Sequence, residues 1–309
     1  MLGDTTSDAP GVPFRHSLLA VCVAVAWGAN FVVIDVGLDT FPPLLFVALR
    51  FFLTALPAIF IVGRPRTSWQ TVVGVGLFMS AGQFGLLFVA IDQGMPAGLA
   101  SLVLQVQAVF TILLAVVVLD ERPAVRQLAG SGLAVAGIAI VAFGRGGAVP
   151  LLALLACVAA GASWGAGNVI MRRARPPAPL ALIVWSSLVA PIPLAALSLG
   201  VEGPGAWADA FSGLDAPGLL ALAYVIVVAT FFGYGSWTWL MARHPASTVA
   251  PFTLLVPIVG IAAAWIALGE VPGTLELVGA GVVLIGLAFV TGLVELARGR
   301  RPSPAPAPI

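Results

Sequence analysis

A motif of one glutamate, one proline, one leucine and three glycines occurs twice in this chain at one constant spacing, between long apolar runs. The first copy is Glu121, Pro123, Leu128, Gly130, Gly132 and Gly137, and the second is Glu270, Pro272, Leu277, Gly279, Gly281 and Gly286. Internal duplication among apolar segments is typical of membrane proteins that build a gate on each side of the bilayer. The repeat therefore predicts two related halves within a membrane and indicates transport.

The composition excludes a soluble domain. Of the 309 residues, 60% are hydrophobic and only 9% are charged, whereas soluble proteins carry about 25% charged residues. The apolar runs are continuous, which favours transmembrane helices over the short alternating strands of an outer-membrane barrel. A net charge of +1 gives no sign of nucleic-acid binding. We therefore predict an all-α integral membrane protein whose surroundings are the lipid bilayer, with no nucleic-acid partner.

Charged, proline and glycine clusters divide the chain into ten apolar segments, each close to the ~20 residues that cross a bilayer. They lie at residues 18–36, 43–62, 69–91, 97–119, 125–143, 150–171, 179–199, 216–241, 247–268 and 275–294. The predicted domains are an N-terminal tail (1–16), a five-helix repeat (17–144), a second five-helix repeat (149–295) and a proline-rich, disordered C-terminal tail (296–309).

Arginine placement predicts the orientation of the chain. With the N-terminus in the cytoplasm, twelve arginines fall on the cytoplasmic side and only Arg145 falls in a loop on the other side. The twelve are Arg15, Arg64, Arg66, Arg122, Arg126, Arg172, Arg173, Arg175, Arg243, Arg298, Arg300 and Arg301. Positive residues concentrate on the cytoplasmic side of membrane proteins. We therefore expect a multi-pass protein of the cell inner membrane with both termini in the cytoplasm.

The topology makes the second repeat an inverted copy of the first. Five spans in a half is an odd number, so the second half enters the membrane from the opposite side. Trp27-Gly28-Ala29 in the first span is echoed by Trp164-Gly165-Ala166 in the sixth. Inverted repeats place a central site between the halves that can open to each face in turn. The predicted fold is thus ten transmembrane helices in two inverted five-helix repeats around a central cavity.

Arg50 is the one arginine well inside a predicted span. An arginine at mid-membrane costs roughly 2.5–3.5 kcal/mol on insertion scales, so its presence requires a reason. One interpretation is a fixed cation that binds a substrate carboxylate. The other is a structural tie, in which the side chain snorkels or binds backbone carbonyls.

Two pairs of tryptophan and asparagine share helix faces. Trp27 and Asn30 are three residues apart, and Trp164 and Asn168 are four apart. We expect the pairs to face each other across the bundle axis, where asparagine could donate to and accept from a zwitterion. The alternative is packing and hydrogen bonding between helices.

Further candidates for the cavity wall are Gln83, Gln105, Tyr234 and Trp237. Gln105 and Gln107 point in nearly opposite directions, because two residues turn a helix by about 200°. At most one of these two can face the cavity squarely, and the prediction takes Gln105. Tyr234 and Trp237 are three residues apart and can line one chamber.

Glu121 and Glu270 lie at helix ends beside prolines. The structural interpretation is that each carboxylate accepts backbone N–H bonds at the next helix start, and the alternative is proton coupling. The glycine strips indicate close helix contacts, either within the molecule or in a homodimer. No catalytic motif, nucleotide-binding loop or metal-ligand cluster is present, so we expect no enzyme, no cofactor and no metal.

Several strings resemble the EamA-type carriers of the drug/metabolite transporter superfamily across residues 17 to 294. They are WGANFVVI, FVALRFF and VVVLDERPAVRQLAGSGLAVAGI in the first half, and WGAGNVIM and WIALGEVPGTLELVGAGVVLIG in the second. MPAGLASLVLQVQ, ATFFGYGSW and APFTLLVPIVG resemble the branch that exports O-acetylserine and cysteine. The resemblance implies a ten-helix inner-membrane exporter whose cavity contains the Trp27–Asn30 stretch and Arg50. The second asparagine is displaced by one position, WGAGN against WGAN, which argues against perfect equivalence.

The expected function is efflux of small amino-acid metabolites by alternating access, with the chain as a monomer or homodimer. A multidrug exporter is the first alternative, although a cationic drug needs a mid-membrane carboxylate that this sequence lacks. An integral-membrane enzyme would need clustered acid and base groups. A scaffold would have no use for Arg50 within a span.

Overall fold

The computed structural model describes residues 13–144 and 149–293. Within these ranges it contains ten helices long and apolar enough to cross a membrane, and no β-strand. They are α1 (Phe14–Leu38), α2 (Pro43–Ile61), α3 (Trp69–Asp92), α4 (Ala97–Leu119), α5 (Val125–Gly144), α6 (Leu151–Ala174), α7 (Pro179–Val201), α8 (Ala216–Met241), α9 (Ala250–Leu268) and α10 (Thr274–Thr291). The predicted all-α class and the ten spans are confirmed. The predicted C-terminal tail, most of the predicted N-terminal tail and Arg145 lie outside the described residues.

The helices pack in pairs that repeat between the two halves. Helix α1 packs against α9 as α6 packs against α4, and α3 packs against α6 as α8 packs against α1. Helices α2 and α7 pack together, as do α5 and α10. If each helix is replaced by its counterpart in the other half, five helices away, the α1–α9 pair becomes α6–α4 and the α3–α6 pair becomes α8–α1. The α2–α7 and α5–α10 pairs stay the same. The packing thus follows the internal repeat of the sequence.

Irregular turns also repeat. Helix α3 contains a π-helical segment at Gly76–Gly82, and α8 contains one at Val227–Phe232. One 3₁₀ segment lies in the middle of α4 at Leu104–Val106, and another forms the start of α9 at Ala250–Leu254. Wide and tight turns of this kind change which backbone groups a helix offers to its neighbours. Both halves therefore carry the same two departures from regular helix.

Two glycines in each of α5 and α10 form the seam between these helices. A Cβ atom on Gly130 would lie 2.5 Å from the Gly286 carbonyl oxygen, and one on Gly137 would lie 2.7 Å from the Gly279 carbonyl oxygen. Larger residues cannot fit at this backbone approach. The seam that these four glycines form is therefore intramolecular. A Cβ on Gly132 would meet nothing within 4 Å, so this glycine lies outside the seam.

The seventh span is broken, and a short helix follows it. Helix α7 consists of Pro179–Ser187 and Pro191–Val201, because Pro191 cannot donate a backbone N–H and disfavours helix before it. A further helix, Gly203–Ser212, occupies a stretch for which the sequence predicted no helix. It is held by Trp207, whose Nε1 donates to Ser198 Oγ at 2.7 Å, and Ser198 donates to Glu202.

Carboxylates outside the spans fix the starts of two helices. Glu202 accepts the backbone N–H groups of Leu44 at 2.7 Å and Leu45 at 3.3 Å, at the start of α2. Asp215 caps α8 by accepting the Gly218 N–H at 2.9 Å, and Thr40 Oγ1 donates to it at 2.8 Å. The Gly218 bond, followed by the Thr40 bond, holds the pKa of Asp215 below its ordinary value. Both caps thus link the α1–α2 connection to the second half of the chain.

Candidate substrate site

Arg50 lies inside the bundle between α2, α3 and α8. Its side chain is 2% exposed, and its guanidinium carbon sits 4.1 Å from the centre of the Phe84 ring. Nη2 donates to Thr230 Oγ1 at 3.3 Å. Nε and Nη1 are buried and have no hydrogen-bond partner in the described structure. An arginine has five N–H donors in a planar fork. The one on Nε and the two on Nη1 therefore lie in the interior of the described structure without an acceptor.

Thr230 belongs to the π-helical segment of α8. Its hydroxyl donates to the Val225 carbonyl at 2.6 Å, which leaves its oxygen lone pairs to accept from Arg50. The neighbouring Ala229 carbonyl accepts Trp27 Nε1 at 2.9 Å. Two consecutive residues of α8 therefore bind one side chain from α1 and one from α2. Neither Thr230 nor Phe84 was predicted, because their roles depend on contacts between distant helices.

Trp27 forms an aromatic wall with two residues of α8. Its ring centre lies 5.3 Å from that of Tyr234 and 5.5 Å from that of Trp237, both at tilted angles. These separations suit tilted aromatic pairs. The structure thus brings together three of the residues predicted for the cavity wall, Trp27, Tyr234 and Trp237. The hydrogen bond to the Ala229 carbonyl holds the Trp27 indole in place.

Three buried polar oxygens near this region also have no hydrogen-bond partner among the described residues. They are Asn30 Oδ1, Thr54 Oγ1 and Gln83 Oε1, on side chains that are 6%, 4% and 2% exposed. Asn30 lies about 12 Å before the end of α1 and Arg50 about 10 Å after the start of α2, taking 1.5 Å per residue. The two residues therefore lie at similar depth. A buried acceptor without a partner costs about 1–3 kcal/mol, so these oxygens are suited to a ligand that donates hydrogen bonds.

The corresponding region of the second half is more fully bonded. Asn168 Nδ2 donates to Gln107 Oε1 at 3.1 Å and to Thr111 Oγ1 at 3.2 Å. Trp164 is half-buried and packs on the main apolar core. Gln105 is half-buried in the 3₁₀ segment of α4. Gln107 and Thr111 are thus the α4 residues that contact Asn168.

The two motif glutamates have different partners. Glu270 accepts the backbone N–H groups of Ala97 at 2.9 Å and Gly98 at 3.0 Å, so it caps α4 of the first half rather than the helix that follows it. Glu121 pairs with Arg172 at 3.1 Å, on side chains that are 37% and 50% exposed. An exposed pair of this kind contributes little to stability. Glu270 therefore joins the two halves, whereas Glu121 forms a surface ion pair.

No group of three or more potential metal ligands occurs within residues 13–144 and 149–293. The two histidines contact each other, with His16 Nδ1 2.6 Å from His244 Nε2. Two imidazoles alone make an incomplete ligand set for a structural zinc ion, which takes four ligands.

Ten membrane-length helices in two repeated halves, with a buried arginine and unpaired amide oxygens among them, are features of a multi-pass membrane carrier. The profile of the EamA-like transporter family matches residues 15–143 and 151–292. The chain belongs to the EamA-like transporter family.

Similar proteins include two that are each named "Probable amino-acid metabolite efflux pump". The one from Salmonella typhimurium is 44% identical over 279 residues, which cover 88% of this chain and 93% of the relative. The one from Escherichia coli K12 is 43% identical with the same coverage. A crystal structure with 21% sequence identity aligns with a TM-score of 0.62 over 92% of this chain and 98% of its own. That alignment supports the fold alone.

Proposed function

We propose that this chain exports small amino-acid metabolites of the cysteine and O-acetylserine class by alternating access between its two halves. The observation that carries the proposal is Arg50, a buried cation whose Nε and Nη1 have no hydrogen-bond partner among the described residues. Thr230 uses one N–H of Nη2, which leaves one complete edge of the guanidinium fork for the two oxygens of a carboxylate. The two relatives at 43–44% identity are each named "Probable amino-acid metabolite efflux pump", which supports export of amino-acid metabolites.

The groups near Arg50 offer apolar and polar contacts to an amino acid. The Trp27, Tyr234 and Trp237 rings supply an apolar wall, and Gln83 supplies an unpaired amide oxygen. The repeats at 17–144 and 149–295 would be the two moving halves. Charged groups within a membrane mark substrate pathways in many carriers. We expect transport without a chemical reaction, and therefore no enzymatic activity.

The arginine distribution supports an inner-membrane protein with both termini in the cytoplasm. In that orientation, Glu121 lies at the cytoplasmic side and Glu270 at the opposite side. The Glu270 cap would then hold the outer ends of α4 and α9 together. Release of this cap is part of the proposed opening towards the outside.

The test is efflux of cysteine and O-acetylserine from cells that express the wild type, Arg50→Ala or Arg66→Ala at equal membrane levels. Arg66 is an exposed arginine between α2 and α3 and serves as the matched control. Charge-assisted hydrogen bonds contribute about 1.5–3 kcal/mol, so we expect Arg50→Ala to raise the KM by about 10- to 100-fold. Arg66→Ala should export like the wild type.

The two possible failures are distinguishable. If the wild type exports neither compound, the substrate class is wrong. If the wild type exports them and Arg50→Ala does so with an unchanged KM, then Arg50 does not bind the carboxylate.

A further inference from the structure

Each half carries an asparagine shortly after a Trp-Gly pair, Asn30 in α1 and Asn168 in α6, and Asn168 is displaced by one position relative to Asn30. The helices that carry them cross their partners in the same way. A Cβ on Gly28 would lie 2.6 Å from Val259 Cβ in α9, and one on Gly165 would lie 2.8 Å from Phe110 Cβ in α4. Val259 and Phe110 are separated by the same spacing as the two motif copies. The α1–α9 and α6–α4 crossings are therefore equivalent.

The partners available to the two asparagines differ. Asn168 contacts Gln107 and Thr111 on α4. At the repeat spacing, α9 carries Val256 and Gly260 in place of these two residues. Neither has a polar side chain, so α9 has no equivalent of the bonds that hold Asn168.

The consequence is visible at Asn30. Its side chain is 6% exposed, yet its Oδ1 has no hydrogen-bond partner in the part of the chain that the structure describes. A structural asparagine would be expected to satisfy its buried oxygen. Asn30 therefore presents a buried acceptor without side-chain partners of the kind that Asn168 has on α4.

Asn30 is linked to the proposed carboxylate site through Trp27 and α8. Trp27, one turn before it on the same face, donates to Ala229, and the next residue, Thr230, accepts from Arg50. Since Asn30 and Arg50 lie at similar depth, one amino acid could contact both. Arg50 would take the carboxylate, and an amide oxygen is a suitable acceptor for an ammonium group.

We propose that Asn30 is a substrate-binding residue that accepts a hydrogen bond from the substrate's amino group through Oδ1, and that Asn168 is a structural residue that ties α6 to α4. This division of roles rests on the proposed function. It follows from the asymmetry between the repeats and would not be expected from the similar WGAN and WGAGN strings alone.

The test compares Asn30→Ala with Asn168→Ala, using the KM for O-acetylserine export and the Tm of the purified full chain without substrate. Asn30→Ala removes an unpaired oxygen, so its Tm should equal or exceed that of the wild type, while its KM should rise about tenfold or more. Asn168→Ala breaks two hydrogen bonds, so its Tm should fall, and its KM should stay within about twofold of the wild type.

A substrate analogue supplies a readout that a structural role would not change. 3-Acetoxypropionate is O-acetylserine without its amino group. As a competitor, it should inhibit the wild type and Asn30→Ala with the same inhibition constant, because it makes no bond to Asn30. A wild-type protein that is inhibited more strongly than Asn30→Ala by this analogue would contradict the amino-group assignment.

Other outcomes overturn the inference without reference to the substrate class. If Asn30→Ala lowers the Tm as much as Asn168→Ala does, Asn30 is structural, whether or not the wild type exports these compounds. If the wild type exports O-acetylserine and both substitutions raise the KM equally, the two asparagines share one role. Absence of export by the wild type, with the Tm values as expected, overturns the amino-group contact and the proposed function, and retains the structural role of Asn168.

Discussion

One hydroxyl group determines how the guanidinium of Arg50 is presented. Thr230 donates its proton to the Val225 carbonyl and accepts from Nη2, while the Phe84 ring covers one face of the guanidinium. A cation over an aromatic ring gains about 0.5–2 kcal/mol but is free to rotate in the plane of the ring. The Thr230 bond removes that freedom. We infer that Thr230 positions Arg50 without itself contacting the substrate.

Replacement of Thr230 by valine keeps the shape of the side chain and removes the acceptor. We expect the KM for export to rise by about fivefold, which corresponds to one hydrogen bond of about 1 kcal/mol. Thr230→Ser retains the hydroxyl and should restore the wild-type KM. An equal KM for the valine and serine variants would show that the hydroxyl does not position Arg50.

At this scale the sequence identified Arg50 as an arginine within a span, which the structure buries, but it did not predict the partners of Arg50. Arg50 stands out because charge within an apolar run is visible locally. Its contacts with Phe84 and Thr230 depend on α3 and α8, which are distant along the chain. The choice between Gln105 and Gln107 has the same difficulty: the 3₁₀ segment of α4 changes the direction of side chains that regular helix geometry would assign.

Among the helices, the contact between Glu270 and α4 differs most from simple sequence reasoning. A glutamate beside a helix end is expected to cap a neighbouring helix in the chain. Here both carboxylate oxygens bind the first N–H groups of a helix in the other half. The cap therefore stabilises the relative position of α4 and α9 as well as the helix itself.

Removal of this cap should destabilise the contact between the halves. Loss of a helix cap costs about 0.5–2 kcal/mol, so Glu270→Ala should lower the Tm of the purified protein. Glu270→Gln keeps one oxygen acceptor and should have an intermediate Tm. The comparison with Glu121→Ala is informative, because the contact that the structure describes for Glu121 is an exposed ion pair, whose loss should change the Tm little. Equal Tm values for the Glu270 and Glu121 alanine variants would be incompatible with a cap that joins the halves.

For the whole molecule, the repeat was the most reliable source of prediction. Apolar length is a local property, and it identified all ten spans of the described chain. The equivalent packing of the two halves follows from the repeat. The break in α7, the Gly203–Ser212 helix and the π-helical segments were missed, because they depend on proline position and on side chains from other helices.

The proposed orientation can be measured with fusions to the full chain. A phosphatase that is active only outside the cytoplasm should be active when inserted at residues 93–96, between α3 and α4. The same enzyme should be inactive at the C-terminus, where a fluorescent protein that matures in the cytoplasm should be bright. Phosphatase activity at the C-terminus would reverse the assignment made from the arginines.

The π-helical segments of α3 and α8 have a consequence for insertions and deletions. A π turn contains one extra residue, so it rotates everything that follows by about 100° relative to an uninterrupted helix. In α8, Tyr224 lies before the segment and donates to the Ala26 carbonyl, whereas Tyr234 and Trp237 follow it and meet Trp27. The wide turn lets α8 hold one more residue while both sets of residues still reach α1. Deletion of one residue from 227–232 would close the wide turn to regular α-helix and retain the relative register of these two faces, while leaving the hydrophobic length of the span almost unchanged.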